Sequence, residues 1–144
     1  MNVYTPGNTL SLHRDVSEAC DAGLVSVSFG CDAMMVMTGA ENDAKNTVAV
    51  LRLKSGDVLF MDGPARWAWH GIPHVLPGTC PEYLKNWPAR SELAGEVSAT
   101  EEDPYRPWRA WMADKRINLN VRQVWPSPVS QAGSESTTDG TVPC

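Results

Sequence analysis

Residues 24–30 have the sequence Leu-Val-Ser-Val-Ser-Phe-Gly, in which apolar and small polar residues alternate. On an extended strand Val25, Val27 and Phe29 fall on one face, and Ser26 and Ser28 fall on the other. Similar short runs, separated by Gly, Pro, Asn and Asp, recur along the chain. The strands we predict are residues 2–4, 9–13, 24–30, 33–38, 48–54, 58–61, 67–72 and 116–125. About eight short strands with hairpin spacing predict an all-β sandwich or jelly roll.

Two parts of the chain depart from this strand pattern. Residues 77–114 are rich in tryptophan and proline, and we interpret them as a long insertion before the last strand. A short helix is predicted within it at residues 107–114. Residues 126–144 are mostly Ser, Thr, Gly and Pro, which predicts a disordered tail. The folded core is therefore assigned to residues 1–125.

Composition narrows the functional class. At 144 residues the chain is one domain by length, and its net charge of −5 counts against gripping nucleic acid by bulk electrostatics. A local basic groove remains compatible with that charge. We identify no secretory leader and no membrane span. Four cysteines without CxxC pairs favour reduced thiols and an intracellular location, with nucleus, cytoplasm and mitochondrion not distinguished.

A candidate metal site begins at His13-Arg-Asp15. Residues i and i+2 of a strand point to the same side, so His13 and Asp15 can reach one ion. The third ligand must then come from a distant strand. His70 is our choice and His74 is the rival, although a single histidine can equally be a hydrogen-bonded surface or core residue. Two histidines and one carboxylate form the facial triad of non-haem iron(II).

The run Arg116-Ile-Asn-Leu-Asn-Val-Arg122 adds a second motif. Alternation places Arg116, Asn118, Asn120 and Arg122 on one face of a strand. If that face points inwards, burying four polar side chains costs free energy unless a ligand supplies hydrogen-bond partners. If it is exposed to solvent, no ligand is needed. Two guanidiniums match carboxylates, and 2-oxoglutarate has two carboxylates. Together the motifs predict an iron(II)- and 2-oxoglutarate-dependent oxygenase.

These motifs resemble the AlkB family of nucleic-acid dealkylating oxygenases, in particular the eukaryotic branch typified by the first AlkB homologue. The resemblance covers about residues 2–125. Features similar to that branch are Ser17-Glu18, Ile72-Pro73, Tyr83-Leu84-Lys85 and residues 120–124. The matching segments, in family order, are residues 2–4, 10–15, 25–30, 55–58, 65–72 and 116–123.

The resemblance implies a double-stranded β-helix fold, and it also implies which residues bind iron(II), 2-oxoglutarate and substrate. The implied iron(II) ligands are His13, Asp15 and His70; the implied 2-oxoglutarate residues are Arg116, Arg122, Asn118, Asn2 and Tyr4; and Arg66 is implied to line the substrate pocket.

The implied reaction is oxidative demethylation of N-methylated bases in DNA or RNA, with dioxygen consumed and formaldehyde released. In the family, the sequence before the strand at residues 2–4 carries the nucleotide-recognition lid, and this chain begins at that strand. We therefore expect either a fragment or an insertion that replaces the lid. Two alternatives remain: the same chemistry on a protein or small molecule, or an inactive truncated chain.

Overall fold

The computed structural model describes residues 1–39, 47–89 and 103–127. Most of the predicted tail, residues 128–144, and the middle of the predicted insertion, residues 90–102, lie outside the described residues. The division into a core and a tail therefore stays a prediction. No helix within the described ranges has the length and apolar character needed to cross a membrane.

The eight strands form two four-stranded sheets with orders β1-β8-β3-β6 and β2-β7-β4-β5. Neighbouring strands are antiparallel throughout. This arrangement confirms the expected double-stranded β-helix, or jelly roll. The strands are β1 Asn2–Tyr4, β2 Leu10–His13, β3 Leu24–Gly30, β4 Ala33–Thr38, β5 Val48–Leu53, β6 Val58–Met61, β7 His70–Val75 and β8 Arg116–Arg122.

The seventh strand begins later than the sequence predicted. Residues Gly63–Trp67 form a 3-10 turn that has a proline at its start, which suits the first position of a helical turn. The chain becomes extended only at Ala68, and β7 then runs from His70 to Val75. The prediction of a strand at 67–72 was therefore wrong at both ends.

The helix predicted at residues 107–114 was also wrong. Two short 3-10 turns, Arg106–Trp108 and Trp111–Asp114, occupy the region. Between them Ala110 has a φ of 61°, a left-handed conformation that interrupts a right-handed helix.

The described ends of the insertion are joined by a tryptophan cluster. The ring centroid of Trp111 lies 6.4 Å from that of Trp87 and 6.2 Å from that of Trp108. The neighbouring Met112 is buried and lines an apolar cleft with Phe29. Since Phe29 faces away from the interior of the barrel, these residues pack against the outside of the first sheet.

The first sheet carries polar side chains together with a few apolar ones on its inner face, and its outer face is apolar. Cross-strand partners on the outer face include Val25 with Val121 and Val27 with Leu119. Alternation along the four strands places nine apolar side chains there, several of them well exposed. They are Val3, Val25, Val27, Phe29, Val58, Phe60, Ile117, Leu119 and Val121.

Candidate metal centre and co-substrate cavity

A cavity of about 260 Å³ lies between the two sheets. The polar face of β8 points into it, which confirms the inward orientation predicted from the alternation. Its lining combines the candidate site residues with apolar side chains of both sheets. The lining residues are Asn2, Tyr4, Leu10, His13, Asp15, Leu24, Ser26, Met35, Leu53, Leu59, Met61, His70, Ile72, Arg116, Asn118, Asn120 and Arg122.

His13, Asp15 and His70 come together at one end of this cavity. His13 of β2 is the direct cross-strand partner of His70 of β7. Each Nε2 atom lies 3.8 Å from a different oxygen of Asp15, Oδ1 for His13 and Oδ2 for His70. The three ligand atoms lie within 4.8 Å of one another, so one cation can bridge them. The rival, His74, is exposed and pairs with Met34 instead.

Both imidazoles are oriented in the same way by the backbone. Nδ1 of His13 lies 2.9 Å from the carbonyl oxygen of Ser11, and Nδ1 of His70 lies 3.1 Å from that of Ala68. When Nδ1 donates to these carbonyls, Nε2 keeps its lone pair for a metal ion. Burial also lowers the pKa of His70 and so favours its neutral form, which is the form that ligates.

A glycine allows β2 and β7 to approach closely beside the histidines. A Cβ atom on Gly71 would lie 2.8 Å from the carbonyl oxygen of Leu10 and 3.1 Å from the amide nitrogen of Leu12. Any larger residue would therefore push β2 away from β7 and separate the two histidines.

The chemistry of the three ligands fits a divalent cation. Oδ2 of Asp15 is buried and has no hydrogen-bond partner among the described residues. An unpaired buried carboxylate oxygen is costly, and a cation between it and the two imidazoles would satisfy it. Two histidines and a carboxylate are the donor set of a facial iron(II) site.

Arg116 provides the clearest fit to a carboxylate ligand. Its side chain is 1% exposed, yet Nε and Nη1 have no hydrogen-bond partner within the described part of the chain. Burial lowers the pKa of this guanidinium, and Tyr4, its cross-strand partner, stands beside it. Burial likewise raises the pKa of Tyr4, so its hydroxyl remains a neutral donor. Unpaired N–H donors on a buried guanidinium are suited to a carboxylate ligand.

The two asparagines that follow Arg116 on the inner face of β8 differ in whether their side chains already have hydrogen-bond partners. Asn118 donates to Ser26 Oγ at 2.6 Å. Asn120 Oδ1 is buried without a described partner, which makes it a further group available to a ligand. The alternation of β8 placed Asn120 on the correct face, but it was not assigned a role from the sequence.

Arg122 differs from Arg116, although the sequence grouped the two as an equivalent pair. Its Nη1 atom lies 2.5 Å from Oε1 of Glu18 and 3.4 Å from Oδ1 of Asp15. The hydrogen bond from Arg122, with a second from Arg66, lowers the pKa of Glu18 to about 2. Glu18 was not assigned a role from the sequence, since nothing in its spacing marks it as a partner of distant arginines.

Arg66, which the resemblance implied to line the substrate pocket, is buried beside the loop that carries Asp15. It is 1% exposed and is not among the described residues that line the cavity. Its guanidinium donates to the carbonyl oxygens of Asp15 at 2.6 Å and Ala22 at 3.1 Å, and to Oε2 of Glu18 at 2.7 Å. With its donors engaged in this way, Arg66 holds the loop that carries Asp15, and its role in the substrate pocket stays a prediction.

The described ends of the insertion also lie apart from the site. No described residue of the insertion lines the cavity, because the tryptophan cluster packs on the outside of the first sheet. The described ends of the insertion therefore do not cover the cavity, and the alternative that the insertion replaces the lid stays a prediction for residues 90–102, which lie outside the described residues.

Comparisons with known proteins agree with this geometry. The family model of the 2OG-Fe(II) oxygenase superfamily matches residues 1–122. An N6-methyladenosine RNA demethylase ALKBH of Cryphonectria parasitica is 46% identical over 136 residues, which cover 86% of this chain and 55% of that protein. The tRNA demethylase abh1 of Schizosaccharomyces pombe is 39% identical over 128 residues, covering 88% of this chain and 36% of that protein.

A solved structure, that of OsALKBH1, is similar with a TM-score of 0.59 and 28% identity. The match covers 84% of this chain and 47% of that one. The chain thus spans about half, or less, of the length of the relatives that it matches. The family is defined by iron(II) and 2-oxoglutarate, which agrees with the cofactors expected from the sequence. The chain belongs to the 2OG-Fe(II) oxygenase superfamily and, within it, to the AlkB-like proteins.

Proposed function

We propose that this chain provides the catalytic barrel of a dioxygenase that oxidatively demethylates N-methylated bases in nucleic acid. The observation that carries the proposal is that the His13–Asp15–His70 group opens into the same cavity as the unpaired donors of Arg116. The relatives named as RNA and tRNA demethylases supply the substrate class. The unpaired cysteines Cys20, Cys31 and Cys80 support an intracellular location.

In this proposal the two imidazoles and Asp15 hold iron(II). Bound iron supplies the oxidation, with dioxygen and 2-oxoglutarate, that hydroxylates the N-methyl carbon and releases it as formaldehyde. The protein contributes ligand geometry, because both Nδ1 atoms are held by backbone carbonyls and both Nε2 atoms face Asp15.

Arg116 binds the carboxylate of 2-oxoglutarate that is remote from the metal. Its unpaired N–H groups donate to that carboxylate, and Tyr4 and Asn2 contribute further hydrogen bonds from the neighbouring strand β1. Asn118 and Asn120 lie on the same face of β8 between the two arginines. Arg122 is placed next to Asp15, so it acts at the metal end of the co-substrate.

The substrate base approaches from the side of His13. The side chain of His13 is 35% exposed, whereas that of His70 is 10% exposed, so the centre opens to solvent at His13. A base inside a duplex cannot reach such a recessed centre, and the target base must therefore be flipped out or already unpaired. The whole chain has a net charge of −5, which favours short-range recognition of the base over bulk attraction to phosphates.

The test is a stepwise one. Anaerobic addition of iron(II) and then 2-oxoglutarate is expected to produce a saturable metal-to-ligand charge-transfer band, which His13→Ala abolishes. Succinate and formaldehyde are then measured with RNA and DNA oligonucleotides carrying N6-methyladenine or 1-methyladenine, against unmethylated oligonucleotides of the same sequence.

Three outcomes separate the alternatives. Formaldehyde release that requires the methyl group supports demethylation. A charge-transfer band with turnover only on peptides or small molecules would favour the alternative oxygenase. No band in a chain shown to be folded would indicate an inactive barrel.

A further inference from the structure

Glu18 is a buried acid that the proposed chemistry does not use. It lies in the loop after β2, and its side chain is only 3% exposed. Both of its carboxylate oxygens are engaged by arginines: Oε2 accepts from Nη2 of Arg66 at 2.7 Å, and Oε1 accepts from Nη1 of Arg122 at 2.5 Å. Arg122 belongs to β8 of the first sheet, and Arg66 belongs to the turn that leads into β7 of the second sheet.

The same two arginines contact Asp15 from two sides. Arg66 donates through Nη1 to the backbone oxygen of Asp15 at 2.6 Å, which fixes where that residue lies in the loop. Nη1 of Arg122 lies 3.4 Å from Oδ1 of the Asp15 carboxylate, which is farther than its 2.5 Å contact with Glu18. Glu18 is therefore the closer of the two acidic partners of Arg122 in the described chain.

We propose that Glu18 is a positioning residue of the metal centre, which keeps Arg122 from occupying Asp15 and, through Arg66, holds Asp15 in place for the cation. The inference rests on the proposed metal site and adds a residue that touches neither metal nor co-substrate. Its carboxylate acts through the two arginines alone.

The physical reason is competition between two cations for one carboxylate. Arg122 and a metal ion both attract the oxygens of Asp15, and a strong alternative partner for Arg122 leaves those oxygens to the metal. If the Glu18 charge is removed, Asp15 becomes the remaining acidic partner of Arg122 among the described residues. The guanidinium then moves towards Oδ1 and weakens metal binding.

The test uses Mn(II), which probes the site without turnover. Its dissociation constant is measured by electron paramagnetic resonance for the wild type, Glu18→Gln and the double variant Glu18→Gln/Arg122→Met. A glutamine accepts from one arginine but presents its NH₂ group to the other. We expect Glu18→Gln to weaken Mn(II) binding by about 10-fold or more, the loss typical of partners that orient metal ligands.

The double variant distinguishes positioning from general damage to the fold. Because it lacks the competing guanidinium, it is expected to recover most of the affinity lost in Glu18→Gln. A matched control is Glu82→Gln, which removes an acid from an exposed ion pair with Lys85 and should leave Mn(II) binding unchanged. Thermal unfolding of every variant accompanies the binding measurement.

Several results would overturn the inference. Wild-type affinity in folded Glu18→Gln excludes the positioning role, even if the melting temperature falls. A loss that persists undiminished in the double variant shows that Glu18 does not act through Arg122. If Glu18→Gln does not fold, Glu18→Asp replaces it, since its shorter carboxylate cannot reach both arginines, and unchanged affinity there is equally decisive. Absence of Mn(II) binding in the wild type would instead refute the proposed metal site.

Discussion

His13 and His70 are direct cross-strand partners, and their ring centroids lie 4.4 Å apart. Fifty-six residues separate them in sequence, so the pairing of β2 with β7 brings them together. Since each Nδ1 atom is held by a backbone carbonyl, the register of two strands also fixes the direction of both Nε2 atoms. The geometry of the centre is thus a property of sheet pairing.

Removal of a ligand is expected to abolish metal binding. His70→Ala should weaken Mn(II) binding by more than about 100-fold, which exceeds the loss typical of residues that only orient ligands. His74→Ala is the matched control, because His74 lies on the same strand but is exposed and outside the ligand group. Calorimetric titration with Mn(II) measures both, and equal losses in the two variants would contradict the assignment.

Truncation of Arg116 is expected to weaken 2-oxoglutarate binding while metal binding is retained. Arg116→Met removes both free donors, and the loss of a buried charged contact costs about 2 kcal/mol or more, roughly 30-fold in affinity. The readout is the 2-oxoglutarate concentration that half-saturates the charge-transfer band. Arg52→Met, which removes an arginine paired with Asp32 outside the cavity, is the control. An unchanged half-saturation in Arg116→Met would show that the co-substrate binds elsewhere.

Gly71→Ala is expected to disturb stability and metal binding together. The new methyl group would lie 2.8 Å from the carbonyl oxygen of Leu10, so β2 must move away from β7. Overpacking of this kind costs about 1–3 kcal/mol. Urea unfolding gives the stability, and Mn(II) titration gives the affinity. Full affinity in this variant would mean that the centre tolerates a shift of β2.

The contribution of Glu18 to stability is expected to depend on pH. In the folded chain its pKa is lowered from 4.5 to about 2, chiefly by the hydrogen bond from Arg122. A lowered pKa means that the ionised group stabilises the fold above pH 4.5, and that this contribution is lost as the pH falls towards 2. The groups that face it are Arg66, Arg122 and, through Arg122, Asp15.

The measurement is the free energy of unfolding of the wild type and of Glu18→Gln in urea. The difference between them should be largest near neutral pH and should shrink as the pH is lowered below 4.5. Glu82→Gln, at an exposed ion pair, should show only a small difference at either pH. A difference for Glu18→Gln that grows on acidification would contradict the role of the ionised carboxylate.

The apolar outer face of the first sheet is expected to bind a hydrophobic dye. Val58 and Val121 are 63% and 58% exposed there, so Val58→Thr with Val121→Thr should lower the fluorescence of bound anilinonaphthalene sulfonate. Each change should alter stability by no more than about 0.5 kcal/mol. Val75→Thr, at a position with 0% exposure, is the contrast and should destabilise the fold without lowering dye binding. A wild type that binds no dye would contradict the prediction.

Strand alternation allowed much of the site to be predicted from the sequence. The pattern of β8 correctly placed Arg116 and Arg122 on the cavity side, because only a period of two puts alternate residues on one face. The structure places His70, the chosen third ligand, opposite His13, whereas His74 is exposed and lies outside the ligand group.

Contacts between side chains that are far apart in sequence could not be predicted from strand alternation. The ion pairs of Glu18 link residues 48 and 104 positions away in the chain, and no periodicity records such contacts. The hydrogen bonds of Arg66 could not be predicted either, because a buried arginine with protein acceptors has the same sequence signature as one that faces a ligand. The helix predicted at 107–114 failed because the left-handed conformation of Ala110 is not encoded by a glycine.

The pairing of β1 with β8 sets the Asn2 backbone opposite Asn118, close to the two ends of the described barrel. Contacts between residues so distant in sequence are slow to form, because a long loop must close before they contribute. During synthesis β1 cannot form its pairing until β8 has been made, because β8 is its partner in the sheet. The cavity is therefore completed only after β8 has been synthesised. We therefore expect the Arg116 end of the cavity to be completed later in folding than the pairing of β2 with β7 that brings the two histidines together.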